Sequence, residues 1–232
     1  MDNTIQVAVM DMAGTTVADD GLVVEAFEAA ATAAGLPASG AERENARQYV
    51  LDTMGQSKIV VFRALFGDES VAQQANTAFE DAYAALIDSG SATPIDGAAE
   101  AITRLRDAGV KVALTTGFSS ATQGKLLAAL GWQSLADLVL APGDGVRGRP
   151  YPDLVLTSLM RLNADGVRNV AVIGDTASDV ETALRAGAAI AAGTLTGAHD
   201  ADQLRGAGAT HVVGGPAEFA DLVLKFNNIE RP

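Results

Sequence analysis

Short, almost unbroken apolar runs recur along the chain at residues 7–10, 110–114, 138–140, 170–173, 188–191 and 212–213. Runs of this kind suit strands covered on both faces, because a sheet with one wet face would alternate apolar and polar residues instead. Between them, residues 97–108, 119–130, 152–162 and 177–186 carry helical spacing, and Gly109, Gly131 and Gly187 follow three of these segments as C-terminal stops. Strands alternating with helices imply βαβ units, hence a parallel sheet in an α/β fold. One span breaks the alternation. Residues 17–93 contain no convincing strand, yet Val23, Phe27, Ala30 and Ala34 share a helical face, as do Val71, Ala75, Phe79, Ala82 and Leu86. So long a span between the first two strands exceeds an ordinary loop. It reads as an inserted α-helical cap domain, with Pro94 and Gly97 marking the return. The expected division is 1–16 plus 94–232 for the core and 17–93 for the cap.

Composition narrows the function classes. A formal net charge of −13 argues against binding the backbone of nucleic acid. It leaves room for a small anionic substrate, because local cations can reverse the field inside a site. No apolar run reaches membrane-spanning length and no secretory signal is visible, so a cytoplasmic protein with no membrane partner is expected. The lack of cysteine removes disulfides, thiolate metal sites and a cysteine nucleophile. A homodimer is a candidate assembly.

The chemistry-bearing residues gather at strand ends. Asp11 closes the first run and opens Asp11-Met12-Ala13-Gly14-Thr15-Thr16, where a carboxylate can attack phosphorus or hold a metal. In open α/β sheets ligands collect at that edge, although a lone strand-end Asp also serves simply to cap a turn. The second run leads into Thr115-Thr116-Gly117, a hydroxyl followed by a glycine that lets backbone approach a phosphate. Arg149, in Gly148-Arg149-Pro150, offers a rigid fork of donors matched to phosphate. Asp175 and Asp179, four apart in Gly174-Asp175-Thr176-Ala177-Ser178-Asp179, can serve a hard cation through oxygen, or cap a helix.

This ordered set resembles the haloacid dehalogenase superfamily, over essentially the whole chain. The resemblance implies a three-layer Rossmann-like core with a cap inserted after the first strand. It implies Asp11 as the nucleophile forming an aspartyl-phosphate, and Thr116 with Gly117 as phosphoryl binders. Arg149 stands where most members have Lys and would offset charge on nucleophile and phosphate. Mg²⁺ would be held by Asp11, the Ala13 carbonyl and Asp175, with Asp179 a further partner.

The departures from the common pattern are informative. Position 13, where most phosphatases of the superfamily carry an acid for the leaving oxygen, is Ala13. Loss of such an acid costs a factor of about 10² to 10⁴. Asp-x-Ala-Gly-Thr together with Arg149 resembles the phosphonatase branch, whose leaving group is carbon. The cap stretch Met54-Gly55-Gln56-Ser57-Lys58-Ile59 is similar to the Met-Gly-x-x-Lys-Ile stretch that carries the imine-forming Lys there, so Lys58 is the expected Schiff-base residue and Gly55 a substrate contact. An amine makes sense beside a C–P bond, because an imine accepts electrons that would otherwise form an unstable carbanion. That amine needs a lowered pKa, which Ile59, Val60 and Val61 are expected to promote by desolvation. Val61 and Phe118 stand where phosphonatases carry His and Tyr. The expected function is therefore a Mg²⁺-dependent phosphonatase-like hydrolase acting on a small phosphonate. The alternatives are a phosphatase for a small phosphorylated metabolite, a metal-independent 2-haloacid dehalogenase and a non-catalytic phosphate-binding protein. His211 reads as a strand-start residue, and neither it nor His199 carries an expected role.

Overall fold

The computed structural model describes residues 4–143 and 145–230; residues 1–3, 144 and 231–232, assigned above to the core, lie outside the described residues. Six parallel strands form one sheet: β1 (Val7–Asp11), β2 (Lys111–Thr115), β3 (Leu138–Leu140), β4 (Val170–Gly174), β5 (Ile190–Thr194) and β6 (His211–Val213). Their order is β3-β2-β1-β4-β5-β6. The chain therefore builds outward from β1 on one side, then returns to build outward on the other. The reversal at β1 opens a crevice at the C-terminal strand ends, where open α/β sheets place their ligands.

The apolar runs are continuous because both faces of the sheet are covered. Val7 and Val9 pack with Val155, Ala183 and Ala186, whereas Ala8 and Met10 face the other way. Helices α7 (Asp153–Arg161) and α8 (Ala177–Ala186) supply the first face. Helices α5 (Ala98–Asp107) and α10 (Pro216–Glu230) cover the opposite face with Ile102, Leu105, Phe219 and Val223. Two further helices, α6 (Ser120–Ala129) and α9 (Ala201–Gly206), complete the crossovers. The strand expected at 188–191 lies instead at Ile190–Thr194, because Ala189 already bonds to Val170 while Gly193 and Thr194 are buried and extend the ladder.

The span after β1 is helical, as expected: α1 (Leu22–Ala33), α2 (Ala41–Asp52), α3 (Lys58–Phe66) and α4 (Glu69–Asp88). On α4 the buried stripe is Ala72, Ala75, Phe79, Tyr83 and Ile87. The expected face, through Val71, Ala82 and Leu86, is rotated from it by about one position. Those three are only partly buried, because α1 and α3 pack against the other stripe. Phe62, Phe79, Tyr83 and Phe118 form one chain of ring contacts, with Tyr83 and Phe118 centroids 4.5 Å apart. Since Phe118 follows β2, the apolar interior of the helical insertion is continuous with that of the sheet. No described helix is long and apolar enough to cross a membrane.

Candidate active site

The turn after β1 is built by its own backbone. The N–H groups of Thr15, Thr16 and Val17 all donate to the Met12 carbonyl, at 3.1, 2.9 and 2.8 Å. Thr16 Oγ1 donates to the Asp11 carbonyl at 2.9 Å, so that peptide is held and the Asp11 side chain is free to face the crevice. Asp11 is buried and lies in register with Thr115 of β2.

Arg149 ties the strand ends together. Its Nη2 pairs with Asp11 Oδ1 at 2.6 Å and donates to Thr115 Oγ1 at 2.9 Å. Its Nε pairs with Asp179 Oδ1 at 2.6 Å. Asp179 in turn caps α8: its second oxygen accepts from the Thr176 hydroxyl and backbone, in a reciprocal capping box. Burial alone would lower the guanidinium pKa, but the charges of Asp11 and Asp179 outweigh it and hold Arg149 protonated.

Asp175 closes the far side. It accepts from Thr15 Oγ1 at 3.3 Å and from the Ala198 N–H at 2.7 Å. Ligand oxygens of Asp11, Asp175 and Asp179 all lie within 4.8 Å of one another and all three residues are buried. Burial pushes the Asp11 carboxyl well above its usual range, with Asp179 and Asp175 adding to the rise against Arg149. Burial first, then Asp179, raises Asp175 to about 7. Three clustered carboxylates facing one guanidinium are a surplus of negative charge in a dry pocket. An all-oxygen donor set with that surplus fits a hard divalent cation, whose charge would reverse both shifts.

The inserted helices complete the cavity. Gly55 and Lys58 line the same small space, about 30 Å³, as Asp11, Ala13, Asp19, Thr116, Gly117, Phe118, Arg149 and Asp175. The Gly55 carbonyl accepts from Arg149 Nη1 at 3.2 Å, joining insertion to core. Gly117 makes the approach sterically permissible: a Cβ there would stand 2.6 Å from the Gln56 carbonyl oxygen and 2.7 Å from that of Gly55. Lys58 opens α3, with 8% of its surface exposed. Its Nζ sits 5.8 Å from the ring centre of Phe79 and 5.7 Å from that of Phe118, within cation–π range. Burial lowers its pKa to about 8, against the charges of Asp19 and Asp11. Of the apolar neighbours expected to desolvate it, Val61 is buried and Ile59 partly buried, whereas Val60 is 48% exposed, and the Phe79 and Phe118 rings border the amine as well.

The sequence profile of haloacid dehalogenase-like hydrolases matches residues 5–187. The chain belongs to this family. It is a hydrolase of the haloacid dehalogenase type with an α/β fold, and thus an enzyme. A phosphonoacetaldehyde hydrolase from Bacillus cytotoxicus is 34% identical over 99 residues, which are 41% of this chain and 37% of that protein. Another from Bacillus cereus is 32% identical over 130 residues, 55% of this chain and 48% of that protein. The chain thus spans about two fifths to half the length of these relatives. A phosphonoacetaldehyde hydrolase-like protein from Oleispira antarctica shares the fold with TM-score 0.82 at 21% identity, covering 97% of this chain and 94% of that one. A hydrolase from Pseudomonas syringae aligns with TM-score 0.82 at 23% identity, covering 95% and 98%.

In this haloacid dehalogenase-type hydrolase, Asp11, Ala13, Gly55, Lys58, Thr116, Gly117, Arg149 and Asp175 converge on one cavity, with Asp179 just behind Arg149. Thr116 Oγ1 accepts from the Phe118 N–H at 3.1 Å and can still donate to an anion. Several participants escaped the sequence reading. Thr115 orients Arg149, and Asp19 lines the cavity. The loop after β5 also closes the site: Thr196 donates to the Gly14 carbonyl at 2.7 Å, and Ala198 holds Asp175. His199 Nδ1 accepts from the Ala177 N–H at 2.9 Å, steadying the start of α8. A hydroxyl-rich strand end, Thr194-Leu195-Thr196, was the available signal, parallel to Thr115-Thr116 after β2.

Proposed function

We propose that this hydrolase is a Mg²⁺-dependent phosphonatase-like enzyme that cleaves the C–P bond of phosphonoacetaldehyde or a closely related phosphonate bearing an aldehyde. The observation that carries this reading is a buried amine of lowered pKa, Lys58, in one cavity with the strand-end carboxylate Asp11. A phosphate monoester needs no such amine, whereas C–P cleavage needs an electron acceptor on the adjoining carbon.

In the proposed sequence, the Thr116 hydroxyl, the Gly117 backbone and Arg149 orient the phosphoryl oxygens. Lys58 condenses with the aldehyde to give a protonated imine. Asp11 attacks phosphorus, the C–P bond breaks, and its electron pair is taken up by the imine as an enamine. Water then releases phosphate from Asp11, and protonation and hydrolysis of the enamine free Lys58. A divalent cation at Asp11, Ala13 and Asp175 would offset repulsion between the nucleophile and the anionic phosphoryl group. Asp179, bound to both Arg149 and the start of α8, fixes the guanidinium rather than touching substrate.

The activity for which the Bacillus relatives are named is compatible with this reading over the part of their length that aligns. Phosphate release should be screened over phosphonates and phosphate esters with Mg²⁺, with borohydride added during turnover. A substrate adduct on Lys58, seen by peptide mass, is expected. Efficient ester hydrolysis with no adduct, unaffected by Lys58→Arg, would instead make the enzyme a phosphatase.

A further inference from the structure

Five residues with charged or titratable side chains line the cavity: Asp11, Asp19, Lys58, Arg149 and Asp175. Asp11 and Arg149 are paired to each other, and Asp175 is held by Thr15 and Ala198. Lys58 and Asp19 remain. Asp19 precedes α1, and the start of that helix holds it: the Val23 N–H donates to its Oδ1 at 3.1 Å, and the Leu22 N–H donates to its carbonyl at 2.6 Å. Among the described residues its Oδ2 has no hydrogen-bond partner, and Lys58 Nζ meets only the faces of Phe79 and Phe118. Both line the same cavity and their charges act on each other, yet no ion pair joins them. Asp20 on its own turn also acts on Asp19, the charges of Asp11, Arg149 and Asp175 act on Lys58, and the neutral phenol of Tyr83 lies within electrostatic reach of Asp19. Ala13 and Val61 supply no acid or base.

We infer that Asp19 is the catalytic proton carrier of this cavity, exchanging protons with Lys58 and with the carbonyl oxygen of an aldehyde substrate. The inference rests on the reading of Lys58 as an imine-forming residue. Asp19 takes a proton from the Lys58 ammonium, and the neutral amine bonds to the carbonyl carbon. The displaced π pair goes to oxygen, which takes the proton back from Asp19. A second transfer, from nitrogen through Asp19 to the hydroxyl, lets the C–O bond break and releases water. The net change is ammonium plus aldehyde to protonated imine plus water, with Asp19 regenerated as carboxylate. Burial raises the Asp19 pKa, against the Val23 N–H, which favours a carboxyl able to hold a proton transiently.

The test uses formaldehyde with cyanoborohydride on the whole protein, so it needs no assumption about the natural substrate. Site-specific methylation is read by peptide mass, with exposed Lys111 as internal reference. Asp19→Asn keeps the acceptor for Val23 but cannot carry the proton. It should lower the Lys58-to-Lys111 labelling ratio by about 10²-fold, and Asp19→Glu should restore part of it. Asp19→Ser, which also keeps an oxygen for Val23, should behave like Asn and covers the case in which the Asn variant does not fold. A wild-type enzyme that labels Lys58 while both Asn and Ser variants label it equally fast overturns the role of Asp19 alone. Absence of Lys58 labelling in the wild type overturns the imine reading and this inference with it.

Discussion

Lys58 carries both a cost and a function, and the two can be separated by pH. Its pKa falls from 10.5 to about 8 on folding. Below pH 8 folded and unfolded chains both hold the proton, so the whole penalty is present. Between the two values the unfolded chain binds more protons, and stability rises with pH. Above both, the penalty is gone. The shift corresponds to roughly 3 kcal/mol. Lys58→Met should therefore stabilise the protein by up to that order at pH 7, with the gain vanishing towards pH 10.5; urea melts at both ends of the range measure it. A gain independent of pH would assign the effect to packing instead. Tyr83 makes a sharper stability test. Its hydroxyl is buried with no partner among the described residues, and burial followed by the charges of Asp19 and Asp11 pushes its pKa up. Removing an orphaned polar atom is favourable, so Tyr83→Phe should stabilise by about 1 kcal/mol. Asp11→Asn should abolish turnover while leaving the circular dichroism spectrum unchanged; near-wild-type turnover would end the covalent mechanism.

The 54–57 loop of the insertion presses against the turn between β2 and α6. Two glycines near this junction should respond to the same substitution with opposite signs. Gly117→Ala forces a methyl group against two backbone carbonyls, which cannot swing aside as a flexible side chain would. A loss of about 1–3 kcal/mol is expected, with faster amide exchange in α3 than in β1. Gly124, seven residues on within α6, borders open space: a Cβ there would meet nothing within 4 Å. Gly124→Ala should stabilise by about 0.5–1 kcal/mol, because it only reduces unfolded-chain freedom within a helix. Equal effects at the two sites would show that the loop does not press on Gly117 in solution.

For the molecule as a whole, the carboxylate cluster links cation binding to stability. Asp11 and Asp175, from separate strand ends, are brought together beside Asp179 only in the folded chain, so a cation held there stabilises the native state by mass action. Mg²⁺ at about 100 times its dissociation constant should add about 2.7 kcal/mol, a rise in Tm of about 5–10 °C for a chain of this size. EDTA should reverse it, and Asp175→Asn should remove it. The same variant should raise Tm in the absence of metal, since it deletes a carboxylate whose ionisation burial and Asp179 oppose. A Tm insensitive to Mg²⁺ would exclude a tight cation site here.

Much of the architecture was legible because it rests on local regularities. Continuous apolar runs report a sheet buried on two faces, and the 3.6-residue spacing of 17–93 reports helices wherever they pack. Strand ends then place Asp11, Thr116 and Asp175 at one edge without any knowledge of the sheet order. The stretch around Lys58 was legible for a different reason, its resemblance to a motif with particular chemistry. What surrounds these residues was decided by tertiary structure. That Arg149 reaches Asp11, Thr115 and Asp179 at once depends on the reversal of strand order at β1. The stripe of α4 was displaced because a helix with small residues on several sides can bury more than one face, and its neighbours α1 and α3 chose the one with Tyr83. The burial that lowers the pKa of Lys58, and the charges of Asp19 and Asp11 that oppose it, come in part from groups distant in the chain, with the Phe79 and Phe118 rings bordering the amine. Periodicity and turn chemistry act over a few residues and can be read along the chain. Desolvation and charge pairing act through space, and only the folded chain determines which groups share that space.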